Sequence, residues 1–118
     1  MGSFVINKRG DALFCVMLIG NHGKVILRGN DCQNLDACKY SIDGIRANAV
    51  DSTRYELMTS GGGKFYFKLR GSDGTEIARS EVFDTIEELE SGINWVRQNT
   101  PYSLVDYSPI ITSYYQSN

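Results

Sequence analysis

GNHGKVILRG, residues Gly20 to Gly29, returns with few changes as GSDGTEIARS, residues Gly71 to Ser80. Laid on itself at that spacing, the chain aligns Phe4 through Ala49 with Tyr55 through Thr100 without a gap. The identical pairs are Gly10/Gly61, Phe14/Phe65, Leu18/Leu69, Gly20/Gly71, Gly23/Gly74, Ile26/Ile77, Arg28/Arg79, Ile42/Ile93, Arg46/Arg97 and Asn48/Asn99. Chance supplies roughly three identities over such a length at average residue frequencies. Conservative pairs such as Phe4/Tyr55, Val16/Phe67 and Ile45/Val96 add to the match. Internal repetition outranks local propensity in a first reading. The expectation is a tandem duplication: residues 1–54, residues 55–107 and a tail of residues 108–118.

Each copy is read as β-β-β-α. Short strands over Phe4 to Asn7 and Tyr55 to Thr59 lead through glycine-bearing turns into strong alternating strands, Leu13 to Ile19 and Lys64 to Arg70. The next turns, Gly-Asn-His-Gly and Gly-Ser-Asp-Gly, supply residues that tolerate positive φ in a hairpin. Third strands run over Lys24 to Arg28 and Thr75 to Arg79. The apolar period then changes from two to about 3.6. Thr85 and Glu88 form a capping box ahead of the stripe Ile86, Leu89, Ile93 and Val96, which stops at Asn99 and Pro101. The first copy repeats this as Asn34 ahead of Leu35, Cys38, Ile42 and Ile45. One such unit buries too little apolar area to offset its chain entropy, so two units are expected to share a core. No Pro/Gly/Ser linker separates Val50 from Tyr55.

The bulk properties suit that size. With 42% hydrophobic residues, 22% charged residues and a net charge of −2, the 118-residue chain reads as one globular, soluble domain without a nucleic-acid tail or a basic membrane patch. Three cysteines, Cys15, Cys32 and Cys38, are odd in number and lack a C-x-x-C pair. Neither a disulfide framework nor a metal site is expected, and a reduced, cytoplasmic setting fits. The longest apolar run, Leu13 to Ile19, is too short to span a bilayer, and no leader pattern precedes the first strand.

The run Lys64-Phe65-Tyr66-Phe67-Lys68-Leu69, then Gly74, Ile77, Ser80-Glu81-Val82-Phe83, and finally Gly92-Ile93, Val96, Asn99 and Pro101, resembles the YegP-like family of small bacterial proteins. The resemblance covers about Phe4 to Val105. The first copy departs from it at Asn30-Asp31-Cys32 and at Ser41. It implies an α+β fold in which a β(3)-α-β motif occurs twice in one sheet, with two helices on one face. The strands after the helices, Arg54 to Leu57 and Ser103 to Tyr107, would be exchanged between copies. The resemblance carries no activity and no functional residue.

The two copies disagree in one informative way. Side chains alternate across a strand, so Phe65, Phe67 and Leu69 face the helices while Lys64, Tyr66, Lys68 and Arg70 face away. By alignment Phe14, Val16 and Leu18 face inward. The first copy is left with Leu13, Cys15, Met17 and Ile19 on its outer face, joined by Val5, Val25 and Leu27 where the second copy has Glu56, Glu76 and Ala78. Seven such side chains make a patch of several hundred Å², at about the limit for a monomer. Covering it would contribute on the order of 10 kcal/mol before entropy is subtracted. A homodimer in which the patch meets itself is the expected cover. The apolar tail with Ile110, Ile111, Tyr114 and Tyr115, or a foreign protein, is the alternative.

Chemistry is sparse. His22 is the single histidine and falls in a turn without Ser/Asp or Cys/Asp companions. Cys15 and Cys38 occupy packed positions, which leaves Cys32, near the helix entry, as the thiol expected to be the most reactive of the three. Gly61-Gly62-Gly63-Lys64 runs on into a strand, unlike a phosphate loop. Glu87, Glu88 and Glu90 suit a helix N-terminus and nothing more. The expected role is therefore a non-enzymatic accessory or interaction module with no catalytic residue, cofactor or metal. The alternative is single-stranded nucleic acid bound on Lys64, Tyr66, Lys68 and Arg70, although Glu56 and Glu76 share that face and suggest a charge ladder.

Overall fold

The computed structural model describes residues 2–110. Alternation builds β1 (Ser3–Gly10), β2 (Leu13–Ile19), β3 (Val25–Gly29), β4 (Tyr55–Ser60), β5 (Lys64–Arg70) and β6 (Glu76–Ser80), with the short β7 at Leu104–Asp106. Helical periodicity builds α1 (Leu35–Ala49) after β3 and α2 (Ile86–Asn99) after β6. The caps are side chains read in the sequence. Asn34 accepts from the amide of Ala37 at 2.8 Å, and Thr85 Oγ1 accepts from the amide of Glu88 at 3.1 Å.

All the strands join one mixed sheet in the order β4-β5-β6-β3-β2-β1-β7. Every pairing is antiparallel except that of β7 with β1, which is parallel. The seam between the halves is β3 against β6, with Leu27 opposite Ser80 and Gly29 opposite Ala78. Ser103 to Tyr107 thus contains a strand lying beside the first strand of the chain. Arg54 to Leu57 leads into β4, and its pairing is with β5, the next strand along.

Both helices lie on the face that carries Phe4, Ile6, Val16, Leu18, Phe67, Leu69 and Ala78, all essentially inaccessible. Cys38, Ile42, Ile45 and Ala49 of α1 and Leu89 and Val96 of α2 complete a single cluster. Leu35, which heads the predicted stripe of α1, stands exposed at the first turn, and the stripe continues through Ala49 instead.

The two halves repeat their local hydrogen bonds at the sequence spacing of the repeat. The Gly20 amide donates to Lys24 O at 2.7 Å and the Gly71 amide to Thr75 O at 2.8 Å. Phe14 and Cys32 exchange a pair of backbone bonds, as do Phe65 and Phe83. Asn48 Nδ2 donates to Gly44 O and Asn99 Nδ2 to Trp95 O, both at 2.8 Å. Gly23 and Gly74 close the corresponding turns at φ of 73° and 85°, a region open to glycine.

Strand parity holds along β2 and fails along β3. Leu18 pairs with Leu27 and Ile19 with Val25, which leaves Ile26 as the extra residue of a β-bulge. The bulge turns Leu27 inward, where it is 1% accessible, and so removes it from the expected outer patch. The same irregularity sits at Ile77, between the pairs Leu69/Ala78 and Arg70/Glu76.

Candidate interaction surface

One row of side chains crosses the whole outer face. Consecutive pairings link Glu56, Lys68, Arg79, Arg28, Met17, Val5 and Asp106, one residue from each strand. The row is ionic from β4 to β3, apolar on β2 and β1, and ionic again on β7.

Around Met17 and Val5 the structure gathers Cys15, Ile19 and Val25, all half-buried, with Leu13 at 38% accessibility toward the end of β2. It adds Leu104, which lies beside Ser3 at 74% accessibility. Leu104 is absent from the patch read in the sequence. Its signal is the alternation of Leu104, Val105 and Asp106 within Ser103 to Tyr107, which becomes readable once β7 is set against β1. At the border with the ionic half, Arg28 Nη1 donates to the sulfur of Met17 at 3.3 Å, while its guanidinium pairs with Glu81 at 3.2 Å.

Tyr107 and, in the tail, Ile110 pack with the core cluster. Ile111, Tyr114 and Tyr115 lie outside the described residues.

The ionic half brings Lys64, Tyr66, Lys68 and Arg70 onto one face, as alternation requires. It also gives each cation a carboxylate. Lys64 pairs with Asp84 at 3.2 Å, Lys68 with Glu76 at 3.6 Å, and Arg70 with Glu56 through Nε at 2.9 Å. Arg79 reaches Glu76 at 2.9 Å and stacks 5.2 Å above the ring of Tyr66. The hydrogen bond from Arg79, offset in part by desolvation and aided by Lys68, holds the Glu76 carboxyl below its ordinary range. A stacking aromatic and a cation track are the elements of a single-strand groove, but here the aromatic face is occupied by Arg79 and the cations are matched.

The remaining chemical groups do not converge. His22 is exposed in a turn at φ 62°. Cys32, expected to be the most reactive of the three thiols, is buried at 7%, with Sγ donating to Asn30 O at 3.4 Å. The bridge to Phe14 draws its backbone against the sheet. Cys38 is fully buried, and burial, reinforced by Cys32, pushes its thiol up to about 12, so it remains protonated. Among the described residues no group of three His, Cys, Asp or Glu side chains is placed to hold a metal ion, and no helix is long and apolar enough to cross a membrane.

Known proteins share this architecture. A family model described as a domain of unknown function, DUF1508, matches residues 61–106. The UPF0339 protein YegP of Escherichia coli O157:H7 is 31% identical over 98 residues, covering 83% of this chain and 89% of that protein. A UPF0339 protein of Bordetella pertussis is 31% identical over 100 residues, covering 85% of this chain and 89% of that protein. The solution NMR structure of yegP from E. coli, described as a protein of unknown function, superposes with a TM-score of 0.81 at 29% identity, covering 90% of this chain and 91% of that one. On identity and fold together, the chain belongs to the UPF0339 family, the YegP-like proteins.

Proposed function

We propose that this protein is a non-enzymatic interaction module that self-associates as an isologous dimer through the outer face of β1, β2 and β3. The observation that carries the reading is the composition of the row Arg28, Met17, Val5, Asp106. A twofold axis between Met17 and Val5 lays this row on its own reverse: apolar centre meets apolar centre, and Arg28 of one protomer meets Asp106 of the other. Self-complementarity of that kind is what an isologous contact needs. Asp106 stays ionised for the purpose, since the Ser108 hydroxyl and amide donate to its carboxylate and hold it below the ordinary range. Half-buried Val5, Cys15, Met17, Ile19 and Val25, with exposed Leu13 and Leu104, supply the apolar area. The ionic half beside them, internally matched, forms a water-facing flank.

The module itself is read as two copies of one unit, residues 1–54 and 55–107, fused into one domain with the strand after the second helix given to the first copy. The recurrence of hydrogen bonds at the repeat spacing supports this, as does the parallel β7/β1 pair. Three free cysteines suit a reduced, cytoplasmic setting.

Sedimentation equilibrium of the wild type and of Met17→Lys tests the dimer. A wild-type dimer and a monomeric, folded variant are expected. Asp106→Arg should weaken association and Arg28→Asp in the same chain should restore it. A wild type that stays monomeric at high concentration would overturn the reading.

A further inference from the structure

The helix-bearing side holds a cavity of about 480 Å³ beside α1, with Cys32, Ala37, Ser41, Gly44 and Ile77 around it and Tyr40 at its rim. Its origin is legible in the other half. The backbone of Cys32 makes the same paired bonds to Phe14 that Phe83 makes to Phe65, and Gly44 O accepts from Asn48 as Trp95 O accepts from Asn99. Phe83 and Trp95 therefore occupy the positions that Cys32 and Gly44 leave small.

Both rings fill space there. A Cβ added to Gly92 would lie 2.6 Å from Phe83 Cζ, so that ring rests on α2, and it stacks on Phe67 at 6.3 Å between centroids. The indole of Trp95 reaches Gly20, as does Ile26, the counterpart of Ile77. At Gly44, by contrast, an added Cβ meets nothing within 4 Å. Where the second half has two aromatic rings the first has cysteine and glycine, and a ring-sized space lies open there against an isoleucine common to both halves.

We propose that this cavity is a binding site for a small planar aromatic molecule of indole size. An accessible surface that is mostly apolar, edged by Asn30, Asp31, Gln33 and Asn34, and a volume in the range of small-molecule sites fit such a ligand. The Ser41 hydroxyl makes no hydrogen bond among the described residues and stands in the wall as an acceptor for a ring N–H. The site lies on the opposite side of the sheet from the proposed dimer contact and is independent of it.

The test is an amide-detected NMR titration of the wild-type protein with indole as the probe and cyclohexanol as a non-planar control. Saturable shifts clustered at Ala37, Ser41, Gly44 and Ile77 are expected with indole alone. Gly44→Trp, which restores the ring of the other half, should weaken indole binding at least tenfold, and the smaller Gly44→Leu should do the same where tryptophan disturbs folding. Absence of saturation in the wild type, shifts scattered over the surface, equal binding of cyclohexanol, or undiminished binding by a folded filled variant would each overturn the assignment.

Discussion

On the outer face β5 presents Lys64, Tyr66, Lys68 and Arg70, whereas β2 presents Leu13, Cys15, Met17 and Ile19, on strands of equal length with corresponding pairings and bulge position. On the inner face the same strands agree: Val16 and Leu18 match Phe67 and Leu69, all buried. The contrast shows where the backbone takes its instructions. Burial against the helices sets sheet geometry, because a change there disturbs close packing, while the far face has latitude to become a charge ladder in one half and an apolar patch in the other.

The largest effect is expected on the inner face. Leu18→Ala and Leu69→Ala should each cost about 2–5 kcal/mol in urea denaturation, since both are fully buried at equivalent strand positions. A cost confined to one of them would mean that the halves do not contribute equally to the core.

Raising the pH distinguishes the two halves at Cys38. Cys38 stands where the second half has Leu89, and its thiol is raised from an ordinary value near 9 to about 12 by burial and by Cys32. Burial also raises Tyr55, whose hydroxyl donates to Ala49 O at 2.6 Å. The folded chain thus holds protons that the unfolded chain releases. Stability is fully present below about pH 9 and falls as pH rises toward 12. Denaturant midpoints at pH 8 and pH 10.5 should show the decline, and Cys38→Ala should flatten it without abolishing it, because Tyr55 remains. Equal slopes with and without Cys38 would exclude the thiol as a source.

The smallest effect lies on the ionic face. Glu76→Gln removes the shared partner of Lys68 and Arg79, both pairs lying at the surface with Glu76 partly buried, and should cost about 1 kcal/mol. Its consequence beyond stability is two unmatched cations beside Tyr66. If the ladder is what keeps that surface from nucleic acid, single-stranded DNA should shift the variant in a low-salt gel more than it shifts the wild type.

Much of the fold was readable because its signals are local and occur twice. Alternation marked Leu13–Ile19 and Lys64–Arg70 at their observed ends, and the caps at Asn34 and Thr85 follow from side chains three residues before the amides they accept from. The candidate surface was readable as far as parity extends. Leu27 escaped because a bulge adds a residue without any mark in composition, and Leu104 because its strand has only three residues and no partner nearby in the chain.

Residue order along the chain suffices for strands, helices, turns and the unlike outer faces, since each depends on neighbours within a few positions. The β3/β6 seam, the parallel docking of β7 on β1, the inward turn of Leu27 and the open space beside Gly44 depend on which distant segments meet and in what register. Those choices rest on the free energy of packing two halves around one core, a quantity that no single stretch of the chain contains.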